Sequence, residues 1–311
     1  MHEIGAGRRP MPKSDAKRHH IVPRFLLARF AEPLGDNQGR LVQLDIKQGA
    51  TNPVSVKTAA TRHRFYSVRS TEAEKDNRIE SLIALIEDHA AESIRLLLEC
   101  PEEMDEHDRI AISIFIALQV KRTPRALAKT EAMIRETGEA VIHEHVSDPE
   151  KFARTAQEHG STLSRVELER MRRYLGKAIV DDRLRAKYVK EEAWRLMIEN
   201  LLDAGRHPLE MEWFLLRPSD GQFVASDTGF SVVRNDRDEL ETALPMAPDA
   251  CLILTGRGDG LRRIKVPRRA VDELNLRAYG HADRFIFGRN QQAVTDVRYR
   301  AKKHPEQVPR P

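Results

Sequence analysis

The chain has 311 residues, with 52 basic against 48 acidic side chains and a net charge of +4. Near-cancelling charge excludes a coat for nucleic acid held by charge alone, and 5% aromatic content argues against a platform for stacking single strands. No apolar run approaches the roughly 18 residues that span a membrane, and Cys100 and Cys251 stand too far apart for a disulfide framework or a metal motif, so the composition points to a reducing cytoplasm.

In chain order, the basic N-terminus lacks an apolar stretch of signal-peptide type and reads as a flexible leader over 1–16. Pro23 suits the first position of a short helix, because its missing N–H would be unpaired there. Phe25, Leu26, Leu27 and Phe30 supply that helix with an apolar face. RLVQLDI, residues 40–46, alternates like a strand. KQGATNP reads as a turn, PVSVKTAA as the returning strand, and HRFYSV as a third extended piece.

From Glu72 the period becomes helical, with Ile79, Leu82, Ile83, Ile86, Ala90, Ile94 and Leu97 on one face. Thr71 and Glu74 have the spacing of a capping box. The stretch 104–121 is apolar nearly all round and reads as the central buried helix, broken at Thr123 and Pro124. Polar helices are expected over 125–146, 164–177 and 185–203, the last closed near Gly205. LEMEWFLLRP and GQFVASD read as strands around a PSDG turn, ACLILTG as a buried strand, and GRGDG as a hairpin turn. PRRAVDELNLRAYGHA reads as a helix, RFIFG as a strand and NQQAVTDVRYRAKK as a last helix. The expected architecture is a single, predominantly α-helical α+β domain over 17–300. Its helical middle is flanked by small β-containing ends that pack together, and a Pro-rich flexible tail follows over 301–311.

Three places carry candidate chemistry. His19 and His20 precede a helix N-terminus, whose dipole favours neutral imidazole, the form a metal ligand or general base requires. The bland alternative is one capping and one exposed histidine. Gln119 and Arg122 share a face at the end of the apolar helix, where an arginine needs an anion, a carbonyl or a carboxylate. It could equally satisfy the last carbonyls of its own helix. Ser226 and Asp227 end an expected strand, where a carboxylate can act as ligand or base, or merely close an Asx-turn. HHIVP is also similar to the first strand of HNH-type nucleases, whose fold needs a further histidine at short range, whereas the next here is His63. Arg154 and His159 match the loose Arg-x4-His spacing of HEPN-type ribonucleases, with Thr155 where a more polar residue is usual.

HHIVPRFLLARFA, RHRFYSV, QVKRTP, FVASD and LNLRAYGHADRFIFG, in that order, resemble the mostly bacterial domain-of-unknown-function family 4238 over residues 18–290. Members open with His-His-x-x-Pro, carry Gln-x-x-Arg-Thr-Pro mid-chain, and show Ser-Asp late. This chain departs from them at Thr228 and Gly229, where the family has Asn or His followed by Pro. The resemblance implies no activity, but it groups His19, His20, Gln119, Arg122, Ser226 and Asp227 as one candidate polar site. Two histidines and Asp227 can hold a divalent metal. Arg122, with Gln119 and Ser226, suits a phosphate-bearing substrate or nucleic acid. The expected function is a hydrolase, such as a metal-dependent phosphodiesterase or nuclease, with His19, His20, Arg122 and Asp227 catalytic. The alternative is a non-enzymatic regulatory or defence-associated binding protein, in which the same residues form a structural polar network.

Overall fold

The structure, a computed structural model, describes residues 18–32, 39–63, 65–66, 68–69, 75–76 and 78–309. The N-terminal part comprises β1 (Arg18–His20), α1 (Arg24–Arg29), β2 (Arg40–Asp45), β3 (Thr51–Ser55), β4 (Thr61–His63), β5 (Val68–Arg69) and β6 (Lys75–Asp76). The helical middle comprises α2 (Arg78–Glu99), α3 (Glu106–Lys121), α4 (Pro124–Val146), α5 (Pro149–Glu158), α6 (Arg165–Val180), α7 (Asp182–Glu199) and α8 (Leu201–Leu209). The C-terminal part comprises β7 (Glu212–Pro218), β8 (Ala225–Ser226), β9 (Ser231–Arg234), β10 (Leu240–Ala247), β11 (Ala250–Thr255), β12 (Leu261–Val266), α9 (Arg268–His281), β13 (Phe285–Gly288) and α10 (Gln291–Lys303). The fold is α+β and predominantly helical. Among the described residues no helix is long and apolar enough to cross a membrane.

The two ends share a sheet. In the order β3-β2-β13-β8, the C-terminal strand β13 lies between the N-terminal strand β2 and β8, with Ile286 opposite Leu44 on one side and Ser226 on the other. A second sheet has the order β12-β7-β11-β10-β9, antiparallel except for the β12–β7 pair. β1 pairs with β4, setting His19 opposite Arg62 and Arg18 opposite His63.

α3 occupies the centre, as its all-round apolar surface requires. An Asp105–Asp108 capping box starts it, and Ile112, Phe115 and Ile116 join Leu26, Leu27, Phe30, Trp213 and Leu252 in the main core. Burying side chains of this size contributes about 1.5–3 kcal/mol each. Gly205 lets α8 approach this helix: a Cβ there would lie 3.2 Å from Ile114 Cγ1. The expected third polar helix is therefore two helices, α7 and α8, and Gly205 lies inside the second rather than closing the first.

Other expectations need correcting. α2 begins at Arg78, and the capping box expected at Thr71 and Glu74 lies outside the described residues. GQFVASD is not the partner of LEMEWFLLRP, because β7 and β8 belong to different sheets. GRGDG is not a hairpin turn: it carries the chain from β11 across to β12 on the far side of β7. Arg109 holds this crossover, donating to Asp259 O and Met211 O, each at 2.7 Å, while its guanidinium lies 4.5 Å from the Trp213 ring centroid. The leader lies outside the described residues. At the other end α10 runs through Lys303, and a 3-10 turn follows at Pro305–Gln307, within the expected tail.

Candidate functional site

The segment after β8 turns sharply. Ser226 Oγ accepts from Gly229 N at 3.2 Å and shares a 2.7 Å hydrogen bond with Thr228 Oγ1. Gly229 has φ +81°, which the proline usual in the family at this point cannot adopt. A Cβ here would also meet Gln119 Nε2 at 3.0 Å. Ser226, expected to bind substrate, holds the turn through these contacts.

Gln119 joins the three motif segments. Its Nε2 donates to Ile21 O at 3.1 Å and to Thr228 O at 2.7 Å, and its Oε1 accepts from Arg122 Nε at 2.9 Å and from Nη2. Arg122 is fully buried, and its Nη1 donates to Glu87 on α2. The arginine therefore does not satisfy the end of its own helix. It ties the end of α3 to α2 through the Glu87 carboxylate, and the Gln119 amide of its own helix orients it.

The histidines are engaged in the same way. His19 Nδ1 accepts the Tyr66 backbone N–H at 2.7 Å, its Nε2 lies 3.5 Å from Glu80 Oε1, and its ring stacks on Tyr66 at 5.1 Å. A nitrogen that accepts an N–H carries a lone pair, so the His19 proton sits on Nε2, toward Glu80. Tyr66 donates its hydroxyl to His20 O at 2.8 Å, and burial pushes that hydroxyl up to about 12 against the pull of Arg122. His20 Nε2 donates to Val56 O at 3.3 Å, and burial holds its pKa below the ordinary histidine value.

Asp227 belongs to a different environment. Its Oδ1 accepts from the backbone N–H of Asp283 at 2.8 Å, and its Oδ2 from those of Arg284 and Phe285 at 3.0 and 3.1 Å. It closes no Asx-turn; it pins the loop between α9 and β13. Burial, and next the Asp283 carboxylate, push its pKa up to about 6 against the pull of those three N–H groups.

The expected metal set is not assembled. Among the described residues no three His, Cys, Asp or Glu side chains gather to hold a cation. His19 and His20 hold the tyrosine segment and Val56, while Asp227 holds the loop before β13. The Arg154 and His159 pair is not assembled either: both are exposed, and five residues on a helix separate them by about 140°.

Beside Asp227 opens a cleft of about 580 Å³. Arg62 and His63 of β4, Asp227, Asp283 and Arg284 line it, with the first residue of α4, Pro124, on its wall. Arg284 pairs with Asp45 at 2.7 Å, and its guanidinium lies 4.9 Å from the Phe285 ring centroid. Arg62 and Arg125 approach Asp283 to 3.7 and 3.9 Å. Sequence reasoning did not assign roles to Arg62, His63, Asp283 or Arg284. The available signal was that RHRFYSV and GHADRFIFG, two segments carrying the family resemblance, are dense in arginine and histidine beside short strands.

The Asp227 carboxyl is predicted to titrate near pH 6 in carboxyl-resolved NMR. Its folded value is raised above the ordinary 3.8, so the pH-dependent part of its contribution to stability is fully present below about pH 4 and lost as pH rises through about 6. An Asp283→Asn chain should titrate at lower pH, because one source of the rise is gone; an unchanged midpoint would assign the whole rise to burial.

No curated protein and no solved structure matches the chain. The model of one family, described as "Protein of unknown function (DUF4238)", matches residues 18–292, from the first residue of β1 to the start of α10, and so spans both the buried network and the cleft. With its His-His-x-x-Pro opening joined to its Gln-x-x-Arg and Ser-Asp segments through the Gln119 amide, the chain belongs to this DUF4238 family.

Proposed function

We propose that the protein binds a small phosphate-bearing ligand, about the size of a mononucleotide, in the cleft beside Asp227. One observation carries this reading: Arg62 of β4 and Arg284 of the loop before β13 line a cleft of about 580 Å³, and Arg125 of α4 approaches Asp283 on its wall to 3.9 Å. That volume lies within the range of about 300–1,000 Å³ typical of small-molecule sites. Planar guanidinium forks match phosphate oxygens, and the Phe285 ring offers an apolar surface beside them. His19, Gln119 and Arg122 support the cleft as a structural network, through the backbone of Ile21 and Thr228. The free thiols of Cys100 and Cys251 suit a reducing cytoplasm.

Titration calorimetry tests the reading with adenosine 5′-monophosphate and with adenosine. The nucleotide is expected to bind saturably and the nucleoside not at all. Arg284→Gln should weaken nucleotide binding about tenfold, which is about 1.4 kcal/mol. Equal heats from nucleotide and nucleoside would sink the phosphate assignment.

Asp227 favours a second reading, a phosphodiesterase. A carboxyl group with a pKa of about 6 at the edge of a cleft is poised to give or take a proton near neutrality. Release of p-nitrophenol from bis(p-nitrophenyl) phosphate, with a rate that turns over near pH 6 and a turning point that shifts in Asp283→Asn, would support it.

A further inference from the structure

Asp283 sits where an anion would sit. Its Oδ2 lies 3.7 Å from Arg62 Nη2, and its Oδ1 lies 3.9 Å from Arg125 Nη2. Each oxygen thus faces a different arginine, and neither distance is short enough for a hydrogen bond. The Arg62 and Arg125 side chains are 50% and 55% exposed, whereas that of Asp283 is 19% exposed. Ion pairs this loose and this wet contribute little to stability. Yet they hold two guanidiniums from separate elements around one carboxylate.

We propose that Asp283 is an internal stand-in for the ligand's phosphate: it keeps Arg62 and Arg125 apart and oriented, and a phosphate displaces it from between them. This rests on the phosphate-ligand reading of the cleft and adds where the phosphate binds and what it must replace.

Both arginines are anchored on rigid backbone. Arg62 is paired in register with His19 across β1 and β4. Arg125 is in the first turn of α4, whose start is capped by Thr123 Oγ1 accepting from Ala126 N at 3.2 Å. The first turn of a long helix also favours an anion through its dipole. The Asp283 backbone is pinned, because its N–H donates to Asp227, so only the side chain needs to swing. Leaving is eased by the like charge of Asp227, which stands close enough to Asp283 for the Asp283 carboxylate to raise the Asp227 pKa. A phosphate brings more oxygens than the carboxylate and accepts bidentate pairs at about 2.7–2.9 Å, inside the distance at which Asp283 stands.

The test is calorimetric titration of the full chain with adenosine 5′-monophosphate and with inorganic phosphate. Wild type, Asp283→Asn, Arg62→Gln and the double variant are compared after their melting curves have been matched. Removing the competing charge should tighten nucleotide binding about tenfold, and removing one arginine of the clamp should weaken it by a similar factor. The double variant should lose the gain, since the freed clamp lacks an arm. Tightening for inorganic phosphate as well would place the effect at the phosphate; tightening for the nucleotide alone would place it at the nucleoside and overturn the proposal. If wild type binds nucleotide but Asp283→Asn binds it equally or more weakly, displacement is overturned while the cleft reading stands. If neither wild type nor Asp283→Asn binds either probe, both fall. Should the Asn chain misfold, Asp283→Ser removes the same charge and retains the backbone N–H.

Discussion

Replacing Arg122 by leucine is expected to destabilise the fold by about 3–5 kcal/mol, because it leaves the Glu87 carboxylate and the Gln119 amide without their buried partner. For a chain of this size the melting midpoint should fall on the order of 10 °C. Arg122→Lys keeps the charge but lacks the fork that reaches Gln119 and Glu87 together, so it should recover only part of the loss. Gln119→Leu should be costly too, since it frees two carbonyls as well as Arg122. The double variant should then lose less than the two single losses added, as expected for members of one network. Differential scanning calorimetry decides this. An Arg122→Leu chain that melts like wild type but no longer binds nucleotide would move the arginine from the scaffold to the site.

Asp227→Ala is expected to cost about 2–4 kcal/mol, because it strips the acceptor from the N–H groups of Asp283, Arg284 and Phe285. The effect should be local before it is global. Hydrogen exchange at those three amides should accelerate ahead of exchange in β2, which pairs with β13 on its other side. Nucleotide affinity should fall with it, because the same loop presents Asp283 and Arg284 to the cleft. Asp227→Asn keeps the shape but points an amide N–H₂ at backbone donors, so it should rescue little. Slow exchange at all three amides in Asp227→Ala would show that the loop is held by other contacts.

Much of the architecture was legible from periodicity. α2 and α3 are long apolar patterns, and β2 and β11 are short apolar runs between turn residues, whereas the returning strand β3 starts at Thr51, inside the expected turn, and ends at Ser55. The elements that escaped are those with weak local patterns. α5 has few large apolar residues and is made by its ends, with Asp148 accepting from Glu150 N and Lys151 N and Pro149 at the first position. β12, LRRIKV, is an edge strand whose middle is exposed, so it shows no buried alternation. β10 contains Pro245 at a register shift, which disguises an otherwise buried strand.

The candidate site divides in the same way. His19, His20, Gln119, Arg122 and Asp227 stood out because polar residues at the ends of apolar segments must find partners. The sequence therefore determined by itself that these polar residues need partners, that the chain is a helix-rich α+β protein, and that its order of motifs is that of one family. Which partner each residue takes was decided only by the tertiary structure. Gln119 reaches a carbonyl 98 positions away, and Asp227 reaches amides 56 to 58 positions away. Local periodicity reports which face of an element is buried, and nothing about what distant segment is folded against it. That is why Arg122, expected at a phosphate, lies inside the scaffold, and why Arg62 and Asp283, inconspicuous in the sequence, meet at the cleft.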